Sequence, residues 1–179
     1  MKIAVSGAHR VGKTTLVEEL SGSLPACRTV DEPYHLLEEE GHEFAEVPAV
    51  EDFELQLERS IECVAEGEGD VLFDRCPADF LAYLLTHDDA DAFDLGDWLP
   101  RVRDAIAALD LIVYVPIEDP DRVALARSPD AEWRQRVDEQ LRAILLDDPW
   151  DLAPSVLEVT GAPHDRARQV LARLRSRPD

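Results

Sequence analysis

The sequence predicts an α/β fold, a parallel sheet covered by helices on both faces, on three observations. Short β-branched runs alternate with segments of helical period along the chain. The first such run leads through a glycine-bounded turn straight into a helical segment. At 179 residues the chain matches one domain, and 45% hydrophobic with 32% charged residues is a globular composition. A single domain over residues 1–179 is therefore expected.

Five strands are read at Lys2–Ser6, Arg28–Asp31, Asp70–Asp74, Leu111–Pro116 and Val156–Thr160, each bounded by Gly, Pro or charged residues. A helix over Lys13–Leu24 follows the first strand. Phe53, Leu57, Ile61 and Val64 mark an apolar stripe on Val50–Glu66. Val102, Ile106 and Leu109 do the same after Pro100, a residue suited to a first helical turn. Trp133, Val137, Leu141 and Ile144 stripe a further helix, and Ala167, Val170, Leu171 and Leu174 stripe a last one that starts near Pro163. The stretch His87–Asp97 is polar and acidic. Glu118–Asp130, with Pro120 and Pro129, reads as a flap, and the lid is set at about residues 118–132.

The net charge of −21 comes from 39 acidic against 18 basic residues, a field that repels the nucleic-acid backbone, so DNA and RNA are excluded as expected partners. No run of about 18 apolar residues is present, which argues against a membrane span. Met1 to Val5 lead into a motif rather than a cleavable signal, so a cytoplasmic location is expected. Cys27, Cys63 and Cys76 form no pair with metal or disulfide spacing, and the five histidines show no metal-ligand spacing either. Only Lys2 and Lys13 are lysines, so a lysine at a special position stands out.

Gly7-Ala8-His9-Arg10-Val11-Gly12-Lys13-Thr14 matches G-x-x-x-x-G-K-[ST], the P-loop, after a predicted strand and opening a predicted helix. The chemistry explains the residues. Phosphates need converging backbone N–H groups, and Gly7 and Gly12 allow the tight path that aims them inward. Lys13 supplies a charge for the β- and γ-oxygens, Thr14 a hydroxyl for Mg²⁺, and Thr15 a donor for the α-phosphate, with Arg10 and Val11 completing the cradle. ATP and Mg²⁺ are the expected cofactors.

Three further pieces suggest phosphoryl transfer. Asp31-Glu32-Pro33 ends the second strand, where Glu32 would face the ligand crevice as a general base; the alternative is that Asp31 and Glu32 open the next helix. Asp74-Arg75 ends the third strand, where Asp74 can hold Mg²⁺ and Arg75 can neutralise phosphoryl charge or hold the acceptor; a surface ion pair is the alternative. Arg122 and Arg127 in the flap can close over the phosphates, while Arg134 and Arg136 read as solvated helix surface.

On Gly7–Thr14, Glu32-Pro33, Asp74-Arg75 and the arginine flap, the chain resembles the P-loop nucleoside and nucleotide kinases, among them the deoxyribonucleoside kinases and ribosylnicotinamide kinase. The resemblance implies a three-layer P-loop NTPase fold with sheet order 2-3-1-4-5. It also implies Glu32 as base, Asp74 and Arg75 on metal and substrate, and Gln56 on the third helix as a nucleobase reader. Tyr34, Phe53 and Arg59 follow as pocket walls. The expected function is transfer of the γ-phosphoryl group of ATP to a small hydroxyl or phosphate acceptor, probed against a regulatory or switch ATPase without such an acceptor. A guanine-specific switch would carry Asn-Lys-x-Asp, and the chain contains no asparagine. Nothing in the sequence decides between a monomer and a homodimer.

Overall fold

The computed structural model describes residues 1–45, 47–121 and 129–176. Five parallel strands, β1 (Lys2–Ser6), β2 (Arg28–Val30), β3 (Val71–Asp74), β4 (Leu111–Tyr114) and β5 (Val156–Glu158), form one sheet in the order β2-β3-β1-β4-β5. That is the order the resemblance implied. β1 sits at the centre, with Ala4 opposite Phe73 on one side and Ile112 on the other. The central strands are buried along both faces while β2 and β5 are partly exposed, which is why the middle runs read as unbroken apolar segments and the edges do not.

Among the described residues seven α-helices accompany them, six between strands and the last after β5: α1 (Lys13–Ser23), α2 (Pro33–Glu39), α3 (Val50–Glu66), α4 (Pro77–Thr86), α5 (Leu95–Ala107), α6 (Pro129–Arg142) and α7 (Pro163–Arg175). Right-handed crossovers place α1, which moves the chain from β1 out to β2, on one face, and the helices of the return path to β5 on the other. The packing agrees: α1 contacts α7, while α4 is enclosed by α3, α5 and α6.

Two helices escape the periodicity argument. α2 is short and opens on Pro33, so its two turns carry no readable stripe. α4 is buried on every side from Pro77 to Leu84, and a helix without a polar face has no stripe to detect. Pro100 also lies differently from the expectation. Asp94 caps α5 by accepting from the Gly96 amide at 2.9 Å, so the helix begins a turn earlier and Pro100 falls inside it. α6 begins at Pro129, within the segment expected as lid, and runs on into a π-helical turn over Ala143–Asp147.

The end of β4 is tied to α6 through Asp138, which accepts from the Tyr114 hydroxyl at 3.0 Å and from the Ile117 amide at 3.1 Å. Burial raises the Asp138 carboxyl above its usual range, and these donors hold part of the shift back. Among the described residues, no helix is long and apolar enough to cross a membrane.

Leu81 in α4 is fully enclosed, so Leu81→Ala is expected to cost about 2–5 kcal/mol of unfolding free energy, measured by urea titration. A surface helix in its place would lose well under about 1 kcal/mol.

Candidate active site

The carboxyl ends of the strands meet in one crevice, the position at which open α/β sheets bind ligands. From β1 the chain enters the loop Gly7–Gly12. A Cβ on Gly7 would stand 2.4 Å from the Val115 carbonyl oxygen, so only glycine fits between β1 and the end of β4. Gly12 caps α1 in the left-handed region at φ 90°.

Each carbonyl of the loop from Gly7 to Val11 is held by a cationic side chain. Arg75 Nη1 donates to the Gly7 oxygen at 3.2 Å and Lys13 Nζ to the Ala8 oxygen at 2.8 Å. Arg134 Nε donates to the His9 oxygen at 2.8 Å, its Nη2 reaches the Arg10 oxygen at 3.5 Å, and Arg166 Nη1 donates to the Val11 oxygen at 2.7 Å. Lys13, Arg75, Arg134 and Arg166 are all buried. Arg134 thus departs from the solvated surface expected of it: it is 3% exposed and its far side pairs with Asp121. Arg136, two residues on and so on the opposite face of α6, is exposed and pairs with Asp88 at 3.5 Å. Arg166, not singled out in the sequence, donates its Nη2 to Glu118 at 2.8 Å. Both arginines occupy stripe positions of their helices, Arg134 with Val137 and Leu141, Arg166 with Val170 and Leu174. A charge on a buried stripe is the signal that would have found them.

Asp79 is the other residue the sequence left unmarked. Fully buried at the third position of α4, it accepts from the Ser6 hydroxyl at 2.8 Å, the Gly7 amide at 2.9 Å and the Cys76 amide at 3.0 Å, and it pairs with Arg75 at 3.4 Å. The motif that hides it is a helix start, Cys76-Pro77-Ala78-Asp79, in which the acid also closes a capping box. Asp79 therefore fixes the entry of the phosphate loop and the direction of Arg75 together.

Glu32 faces this crevice, and its neighbour Asp31 is exposed on the other side of the strand end. Arg75 Nε donates to Glu32 Oε1 at 2.6 Å, and the guanidinium lies 5.3 Å from the Tyr83 ring centroid. Burial pushes the Glu32 carboxyl up, but the Arg75 and Lys13 charges and the Arg75 hydrogen bond outweigh it and hold the group below its usual range, as a carboxylate. Burial, helped by Arg75, lowers the Lys13 ammonium to about 8. Anionic phosphate against Lys13 would reverse that shift.

The Thr14 hydroxyl donates to Asp74 Oδ2 at 2.9 Å, while Asp74 Oδ1 is buried without a hydrogen-bond partner among the described residues. Burial raises the Asp74 carboxyl, with Lys13 and Thr14 opposing. A hydroxyl beside an orphaned carboxylate oxygen fits a hard cation completed by phosphate and water oxygens, as Mg²⁺ prefers. Thr15 and Arg10 lie exposed beside the loop and Val11 is buried beneath it.

Next to the crevice lies a cavity of about 270 Å³. Glu32, Arg75 and Gln56 form its polar floor, and Phe53, Tyr83 and Trp133 its aromatic wall, with Tyr34 at the side. Phe53 and Tyr83 stack at 5.2 Å and an interplanar angle of 2°, and Trp133 meets both edge-on. His9 also lines it: its Nδ1 is 3.3 Å from the Tyr83 hydroxyl, and its Nε2 lies 3.3 Å from Asp130 without hydrogen-bonding alignment. Arg59 does not reach the cavity. It pairs with Glu40 at 2.9 Å and Glu62 at 3.3 Å, and it lines a separate groove beside β2. Arg122 and Arg127 lie outside the described residues.

A family model described as an AAA domain matches residues 2–165. The chain belongs to the AAA domain family. No curated protein matches this AAA domain chain. Among solved structures it is similar to deoxyadenosine kinase from M. mycoides, at 15% identity over 98% of this chain and 99% of that one with a TM-score of 0.67. Thymidylate kinase from Candida albicans is similar at 15% identity over 97% and 90%, TM-score 0.64. The NadR protein matches at 18% identity over 99% of this chain but 50% of its own length, TM-score 0.68. This AAA domain therefore has the fold of the P-loop nucleoside and nucleotide kinases.

Two outcomes are expected from this geometry. Arg166→Ala leaves the buried Val11 carbonyl without its donor, so unfolding free energy should fall by about 1–3 kcal/mol in urea titrations, and ATP affinity should weaken with it. Burial lowers His9 to about 4, with Arg75, Arg134 and Lys13 adding and Asp130 opposing. Its folded pKa lies below the unfolded one, so it costs nothing above pH ~6.5 and destabilises increasingly as pH falls from there toward pH ~4. Replacing His9 by Gln should therefore reduce the stability lost between pH ~7 and pH ~5, by up to about 2 kcal/mol.

Proposed function

We propose that this chain is an ATP-dependent phosphotransferase, a P-loop kinase that moves the γ-phosphoryl group to a small hydroxyl or phosphate acceptor of nucleoside or nucleotide type. The observation that carries it is the Glu32–Arg75 pair. A carboxylate held by a buried guanidinium stands between the phosphate loop and an open, aromatic-walled cavity. A regulator that only binds and hydrolyses nucleotide has no need of that second cavity.

In this reading Lys13 and the N-terminal end of α1 grip the terminal phosphates of ATP. Thr14 and Asp74 hold Mg²⁺, which when bound would neutralise charge on the phosphate oxygens. Glu32 accepts the proton of the acceptor hydroxyl, and Arg75 keeps that carboxylate ionised and aimed at the crevice. Tyr34, Phe53 and Gln56 line the acceptor side. Arg122 and Arg127 are assigned to a lid at about residues 118–132 on a single domain spanning residues 1–179. The M. mycoides kinase has been seen with dATP and NadR with AMP-PNP, which supports ATP as the donor here.

The direct test is to incubate the protein with ATP, Mg²⁺ and a panel of nucleosides, monophosphates and small alcohols, and to measure ADP. Release that depends on one acceptor class is expected; release independent of acceptor would favour the switch ATPase. Glu32→Gln should lower kcat by about a hundredfold or more while ATP affinity, read by calorimetry, stays within about twofold. Unchanged turnover would remove Glu32 as the base. Lys13→Ala should abolish turnover together with ATP binding.

A further inference from the structure

Two amides at the start of the phosphate loop are held from a single helix. Gly7 donates to Asp79 Oδ1 at 2.9 Å, and His9 donates to the Tyr83 hydroxyl oxygen at 3.1 Å. Asp79 and Tyr83 stand four residues apart in α4, so both reach the loop from the same helix face, one turn after the other. An amide that donates to α4 is turned away from the phosphate. The pair therefore sets where along the loop the phosphate-facing amides begin.

Asp79 also serves Ser6, Cys76 and Arg75, whereas Tyr83 is anchored by its ring. That ring is buried. It stacks on Phe53 at 5.2 Å, meets Trp133 edge-on at 5.5 Å and lies 5.3 Å from the Arg75 guanidinium. After accepting from the His9 amide the hydroxyl still has its own proton to give, and His9 Nδ1 is 3.3 Å away. A neutral imidazole with its proton on Nε2 can take it, so one oxygen holds His9 by backbone and by ring. Without that oxygen the half-buried His9 amide loses its acceptor, a loss that the loop can make good only by moving.

We infer that Tyr83 is a positioning residue, whose hydroxyl sets the phosphate loop in the shape that takes a nucleotide while its ring walls the neighbouring cavity. The two duties of this side chain separate on removal of a single oxygen. The assignment of the cavity to an acceptor rests on the kinase reading; the hold on the loop does not.

The test is calorimetric titration of the full chain with AMP-PNP and Mg²⁺. Tyr83→Phe keeps the ring and its stack, and should weaken AMP-PNP binding about threefold or more. Thr86→Val removes another hydroxyl of α4, one bonded to Trp133 and to the carbonyls of its own helix, and should leave that affinity within about twofold. In acceptor-dependent ADP release, Tyr83→Phe should raise the ATP KM while the acceptor KM stays within about twofold, and Tyr83→Leu, which removes the wall as well, should raise both. The wild-type chain offers a check that needs no variant. By NMR its His9 amide should exchange with solvent about tenfold or more slowly than in the urea-unfolded chain. An AMP-PNP affinity unchanged in Tyr83→Phe, an equal loss in Thr86→Val, or an unprotected His9 amide would each overturn the inference. If no acceptor supports ADP release, the kinase reading falls, and calorimetry with amide exchange still decides the role of Tyr83.

Discussion

A loop that turns its amides toward an anion must turn its carbonyls somewhere else, and in this molecule that somewhere is buried. Five successive carbonyl oxygens, from Gly7 to Val11, point away from the phosphate side, and left alone each would cost the free energy of an unsatisfied buried acceptor. Four cations from four different elements meet that need: Arg75 after β3, Lys13 on α1, Arg134 on α6 and Arg166 on α7. Because the three arginines are themselves buried, each needs an anion or a π-face of its own, and this second demand recruits Glu32, Asp79, Asp121, Glu118 and Tyr83. The order of the site follows from satisfying one short loop.

The same demand explains how the proposed catalytic roles and the structural ones overlap. Arg75 serves the Gly7 carbonyl and the Glu32 carboxylate at once, and its backbone adopts φ 80° to do so. That conformation costs a non-glycine residue of order 1–3 kcal/mol and persists only where its surroundings fix it. Asp79 and the Gly7 carbonyl hold its side chain, and its amide donates to the Val5 carbonyl at 2.9 Å. The proposed base is thereby coupled to the phosphate loop through a single guanidinium, so donor and acceptor sides share one rigid part.

What could be read from the sequence divides along the same lines. The loop with its strand and helix was legible because the phosphate motif has a fixed spacing, and the two acids were placed at strand ends by the apolar runs that precede them. All five strands were placed within two residues, and their order came from the family resemblance, since spacing does not order a parallel sheet. α4 was not legible because it has no polar face, and Asp79 was hidden within it as an ordinary helix opening. Arg134 and Arg166 were hidden because an arginine on a helix is read as solvent-facing until its place on the apolar stripe is weighed. Arg59 was misplaced for the complementary reason: it sits on the same helix as Gln56 but turns toward Glu40 and Glu62 instead of the cavity.

The net charge of −21 and the buried cluster of cations belong to one electrical architecture. Seen from a distance the molecule is an anion that repels nucleotides; at the loop, the inward-turned amides and the N-terminal end of α1 present a local positive potential of the kind that phosphates take. Dissolved salt acts on the two zones unequally. At physiological ionic strength mobile ions quench the outer field beyond about 8 Å, but they do not enter the desolvated interior. Raising the salt should therefore speed nucleotide arrival without loosening the hold once the loop is filled, a behaviour opposite to that of proteins which attract their ligands through a basic surface.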